Sequence, residues 1–136
     1  MKPIIWKDEY SVGVKKLDDQ HLKLINAINE LIELGAHGET ISKEHSAFQA
    51  MLHFARGHLH YEEFLLKKYH FPDIQAHQDE HLEYLNKMEE LTARLDHSEA
   101  VSTEECINFI RHWFMDHILV EDMKYKKYFE ENNISI

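Results

Sequence analysis

HLHYEEFLLKKYHFPDIQAHQDEH, residues 58–81, sets ionisable side chains at His58, Glu62, His77 and His81, positions where helical periodicity calls for apolar core. Pro72 divides the stretch into two helical halves. Upstream, Phe48, Met51, Leu52 and Ala55 lead into His58, Glu62 and Leu65 at three- and four-residue intervals. This predicts a helix over about 42–69 that opens near Ser42 as a partial N-cap. Downstream, His77 and His81 lead into Tyr84, Leu85, Met88, Leu91 and Leu95, a helix over about 73–95. Residues four apart differ by about 40° in direction and about 6 Å in height, so each pair aims two donors at one locus. The short turn at Pro72 then brings the two loci to the same half of the molecule.

The same reading extends in both directions. Leu17, His21, Leu24, Ile25, Ile28, Leu31 and Ile32 share a face of a helix over about 18–34, with Gly35 and Gly38 as stop signals. STEE, with Ser102 or Thr103 leading, matches a capping box and opens a helix over about 103–129 that carries Ile107, Ile110, Trp113, Phe114, His117, Ile118 and Val120. Connections of a few residues make consecutive helices antiparallel neighbours. The expectation is an all-α, up-down-up-down four-helix bundle in one domain, 1–136, with an extended arm over 1–14 anchored by Trp6.

Composition narrows the function. There is no Lys- or Arg-led apolar leader and no apolar run of membrane-spanning length, so a soluble, cytoplasmic protein is expected. A net charge of -10, spread along the chain, argues against nucleic acid and anionic membranes as partners. The one cysteine excludes an intrachain disulfide framework and Cys-rich zinc sites, whereas histidine occurs twelve times.

A lone histidine on an apolar face is usually a satisfied core residue. Here every helix carries at least one inward ionisable group, and burying five imidazoles and a carboxylate without partners would cost several kcal/mol. A metal resolves the conflict, because neutral imidazole and carboxylate are natural ligands of iron, manganese and zinc. Ferritin-like dinuclear sites use Glu-x-x-His repeats, and no Glu stands three residues before any inward histidine. HQDEH also fits the His-x-x-Glu-His zinc-peptidase pattern with Glu80 as base, but that would strand His21, His58, Glu62 and His117.

Four segments together resemble the hemerythrin family: VGVKKLDDQH ending in His21, HLHYEE as His-x-x-x-Glu, HQDEH as His-x-x-x-His, and WFMDHILVED as a Trp-to-His-to-Asp segment. The resemblance covers nearly the whole chain. It implies two iron ions per chain, one held by His77, His81 and His117 and the other by His21 and His58, bridged by Glu62, Asp122 and an oxo or hydroxo group. It implies reversible dioxygen binding at the iron with two imidazoles, for storage or delivery, with an oxygen-requiring enzyme as a candidate partner, by a monomeric carrier rather than an enzyme. A di-iron oxidase or peroxidase, or an oxygen or redox sensor acting through a partner, is the alternative. Trp113, Phe114 and Ile118 are candidates for the oxygen pocket, with Phe114 standing where the family usually has leucine. Tyr125 is a candidate for orienting ligands. Spacing alone favours Glu121 over Asp122, since five residues turn an ideal helix by about 140° from His117. A local widening of the helix, or a bridge reached from the flank, would reconcile the two. The other histidines, at 37, 45, 53, 60, 70, 97 and 112, match no motif and read as surface or supporting residues.

Overall fold

The computed structural model describes residues 2–36, 41–96 and 103–136. Helix α1 spans Lys15–Ala36, α2 Ile41–Lys68, α3 Ile74–Asp96 and α4 Thr103–Asp116. A π-helical segment, His117–Glu121, joins α4 to α5, Asp122–Glu131. Helix α1 packs on α2 and α4, and α2 on α3, which is the expected antiparallel four-helix bundle with α4, the π segment and α5 as its fourth rod. Among the described residues no helix is long and apolar enough to cross a membrane. The expected stop at Gly38, the side chains of Ser42, Leu95 and Thr103, and His37, His97 and Ser102 lie outside the described residues.

Helix α2 stops before Pro72 is reached. His70 takes a left-handed φ of 58°, the Phe71 N–H donates to the Leu66 carbonyl at 2.9 Å, and the His70 N–H donates to the Lys67 carbonyl at 3.2 Å. This is a Schellman cap, and Phe71 and Leu66 lie in one apolar cluster beneath it. The same device ends α5, with Asn133 at φ 53°, Ile134 bonded to Phe129 and Asn133 to Glu130.

The arm is held by polar clamps more than by Trp6, which is only partly buried. Ile4 exchanges two 2.8 Å hydrogen bonds with the Asn29 side chain on α1. Asp18 accepts from the Val12 N–H at 2.8 Å and from the Ser11 hydroxyl at 2.6 Å. Ile4, Tyr10, Val12 and Val14 bury their side chains beneath these clamps.

The interior is split. One apolar cluster includes Leu24, Ile28, Met51, Leu59, Tyr84, Met88, Ile110 and Phe114; the other is built on Leu17, Leu65, Leu66, Phe71, Tyr125 and Phe129. On α1 the boundary falls between Leu17 and Leu24, and on α2 between Leu59 and Leu65. A belt of buried polar groups occupies that boundary: His21, His58, Glu62, His77, His81, His117 and Asp122.

Candidate metal centre

All seven belt residues come from helical positions, which fixes their directions more tightly than loops would. His21 lies on α1, His58 and Glu62 on α2, His77 and His81 on α3, and His117 and Asp122 bracket the π segment. That segment explains the five-residue spacing. The Asp122 N–H donates to the His117 carbonyl, an i to i+5 bond, so one extra residue fits into the turn and Asp122 comes under His117. Asp122 is fully buried, while Glu121 points outward and accepts from Lys124 at 3.0 Å. The widened turn also carries Val120 out of the expected apolar stripe and leaves it 53% exposed.

Two donor groups share Glu62: Glu62, His77, His81 and His117 form one, His21, His58 and Glu62 the other, with ligand atoms in each within 4.8 Å of one another. The two oxygens of Glu62 divide between them. Oε2 faces His58 Nε2 at 3.4 Å and His21 Nε2 at 3.8 Å, whereas Oε1 accepts from His77 Nε2 and lies 3.2 Å from His81 Nε2 and 3.3 Å from His117 Nε2. Asp122 divides likewise, with Oδ2 3.3 Å from His21 Nε2 and Oδ1 2.8 Å from His117 Nε2 and 3.4 Å from His77 Nε2. Each carboxylate thus has one oxygen on each side of the belt.

The charges reflect this crowding. Burial alone would lift Glu62, but the charge of His117 and the close approach of His117, His21 and His58 hold it well below the usual carboxylate range. Burial and the charge of Glu62 push Asp122 up, and His117 and His21 more than reverse both, leaving it depressed. Burial pushes His21 and His77 down, while Asp122 and Glu62 bring each up to about 9. Against its burial, His117 is likewise raised well above its ordinary value by the same two carboxylates. His58 stays lowered, chiefly by burial.

Even so, the belt is not satisfied by its own members. His21 Nδ1 and Nε2, His58 Nε2, His81 Nδ1 and both Asp122 oxygens are buried without a hydrogen-bond partner. Unpartnered groups of this kind are costly and uncommon in native interiors. Five imidazoles and two carboxylates, with no thiolate among them, suit borderline divalent cations such as iron, manganese and zinc. The residues therefore fit a pair of metal ions.

Polar neighbours missed by periodicity orient the belt. The His58 Nδ1–H donates to Gln20 Oε1 at 2.6 Å, and the His117 Nδ1–H to Glu80 Oε1 at 3.2 Å. His81 Nδ1 lies 3.5 Å from Glu63 Oε2. The fully buried Tyr125 donates its hydroxyl to Glu62 Oε2 at 3.3 Å. Of the unmatched histidines among the described residues, His53, His60, His70 and His112 are exposed and His45 bonds to Gln49.

Beside the belt, Phe114, Trp113, Leu24, Ile28 and Met51 wall an apolar cavity of about 10 Å³ that reaches His58 and His117. Ile118 is buried in the core outside this wall. Trp113 stacks on His117 with ring centres 4.5 Å apart and planes 12° apart, and Tyr84 stacks on Trp113 at 3.7 Å.

Comparison with known proteins agrees with this arrangement. The family described as the hemerythrin HHE cation binding domain matches residues 12–129. A bacteriohemerythrin of Clostridium acetobutylicum is 26% identical over 89% of this chain and 97% of its own. A hemerythrin-like protein of Naegleria gruberi is 32% identical over 91% of this chain and 92% of its own. The crystal structure of wild-type hemerythrin superposes with a TM-score of 0.85 at 26% identity, covering 93% of this chain and 97% of that one.

Proposed function

Because the chain belongs to the hemerythrin HHE cation-binding family, we propose that its belt holds two non-haem iron ions and binds dioxygen reversibly, for storage or delivery. On this reading His77, His81 and His117 hold one ion and His21 and His58 the other, with Glu62 and Asp122 bridging. The observation that carries it is the division of each carboxylate, one oxygen towards each imidazole group. The unequal ligand count leaves the position of His21 and His58 short of donors, as a ligand-binding metal requires. When bound, the iron pair supplies the electrons that dioxygen binding draws on.

The chain's own residues set the conditions. Gln20 and Glu80 keep Nε2 of His58 and His117 turned inward by occupying the opposite ring nitrogens. Tyr125 steadies Glu62 on the side facing His58. The cavity beside His58 and His117, about 10 Å³, is of the order of one water-sized molecule, and apart from those two rings, Tyr84 and Trp113 its walls are hydrocarbon. Such a wall favours a nonpolar gas over water and limits stray protons.

The test is anaerobic iron loading followed by metal analysis and optical spectra. Two irons per chain, with visible charge-transfer bands that form in air and fade under vacuum, are expected. Stoichiometric zinc, or steady peroxide release with a supplied reductant, would overturn the carrier reading.

A further inference from the structure

Gln20, Glu63 and Glu80 form a pattern that the family resemblance did not supply. Each is the sequence neighbour of a belt residue on its own helix, and each serves an imidazole on the next helix around the bundle. Gln20 on α1 holds His58 on α2 at 2.6 Å. Glu63 on α2 lies 3.5 Å from Nδ1 of His81 on α3. Glu80 on α3 holds His117 on α4's continuation at 3.2 Å. Being one residue removed, each is turned about 100° from the inward face, into the seam with the following helix. Hydrogen bonds close only part of this relay: Nδ1 of His81, although 3.5 Å from the Glu63 carboxylate, and Nδ1 of His21 on α1 are both buried without a hydrogen-bond partner.

The charges along this ring are unequal. The imidazoles on one side of the belt, His81 and His117, are faced by carboxylates. On the other side His58 meets a neutral amide and His21 meets nothing. A carboxylate beside Nδ1, hydrogen-bonded to it as Glu80 is to His117 or a near charge as Glu63 is to His81, raises the donor strength of Nε2, whereas an amide does so far less. We propose that Gln20, Glu63 and Glu80 are positioning residues whose difference in charge makes the two metal positions electronically unequal, the His77, His81 and His117 position being the more electron-rich. The inference rests on the di-iron reading. With iron bound and half-oxidised by a one-electron oxidant such as ferricyanide, the carboxylates beside His81 and His117 would favour the ferric ion at the three-imidazole position. The neutral Gln20 amide beside His58 would favour the ferrous ion between His21 and His58. The amide at Gln20 thus keeps the position with fewest donors in the reduced state longest.

Substitutions that exchange charge while keeping an acceptor separate this role from mere packing. Glu80→Gln retains an oxygen for His117 and loses the charge; Gln20→Glu gives His58 a carboxylate. Potentiometric titration of the iron-loaded protein, with Mössbauer spectra of the half-oxidised sample, reads the two one-electron steps. Either substitution is expected to narrow their separation, by about tenfold in the stability of the mixed-valence form, or about 59 mV. In zinc-loaded, diamagnetic protein, long-range 1H–15N spectra should show Nδ1-bound protons on His58 and His117. Glu80→Gln should shift the His117 signal and leave His58 unmoved. Glu80→Ala should broaden or lose the His117 proton, and Gln at the same position should restore it. If wild-type protein takes two irons but both substitutions leave the potentials and the Nδ1 signals unchanged, this inference fails and the di-iron reading stands. If wild-type protein does not take two irons, the di-iron reading itself fails. If the half-oxidised sample holds its ferric ion at the two-imidazole position, the assigned direction is wrong.

Discussion

Metal loading of this protein should be steeply dependent on pH, and the steepness follows from the belt's own charges. In the metal-free protein Glu62 and Asp122 raise His21 and His77 to about 9 from an ordinary value near 6.5, and His117 is raised as well. At pH 7 to 8.5 His21 and His77 carry protons that a metal must displace, while the depressed carboxylates have none to give up. At least two protons therefore leave per pair of ions bound. Apparent affinity should fall by about 100-fold for each pH unit lowered in that range, about 2.7 kcal/mol. The metal-free fold responds in the opposite sense. Imidazoles raised on folding contribute stability that is fully present below about 6.5 and lost as pH rises through about 9, and carboxylates lowered on folding contribute stability that is lost as pH falls through their folded values. The thermal stabilisation caused by zinc or anaerobic ferrous iron should thus grow from pH 6.5 to 9. Calorimetric titration in buffers of differing ionisation enthalpy counts the protons, and thermal melts give the stabilisation. Release of fewer than one proton per chain, or affinity that is flat between pH 7 and 8.5, would refute the reasoning.

Three further outcomes are expected. Phe114→Ala should enlarge the cavity beside His58 and His117 and destabilise the fold by about 3–5 kcal/mol in urea unfolding, while ligand escape in stopped-flow measurements becomes faster. Deleting the exposed Val120 should turn the widened segment into ordinary α-helix, keep Tyr125 and Phe129 buried and change the melting temperature little, whereas inserting an alanine there should rotate both off the core and lower it sharply; circular dichroism melts distinguish the two. His70→Gly should stabilise the protein by about 0.5–1 kcal/mol, because φ 58° favours glycine, and denaturant titration measures it.

The bundle was legible because its apolar residues recur at helical intervals and its connections are short. The inward set His21, His58, Glu62, His77, His81 and His117 was legible for the same reason, as interruptions of an apolar stripe. Asp122 was reachable only through the family resemblance. HILVE contains nothing that announces a π turn, and on an ideal helix Glu121 has the better direction. Gln20, Glu63 and Glu80 were hidden because their partners lie on other helices, and helical periodicity describes one helix at a time. The left-handed turn at His70 escaped notice because Pro72, two residues on, looked sufficient to end α2.

The hairpin with which the sequence was first read has a bearing on assembly order. His58, Glu62, His77 and His81 lie within 24 residues on α2 and α3, joined by a five-residue turn with its own hydrogen bonds. Closing so short a loop costs little chain entropy. During synthesis these four donors, with His21, leave the ribosome before α4 does. A nascent chain therefore holds most of its chelating groups some 36 residues before His117 arrives, and the fourth rod is the last to close over the belt.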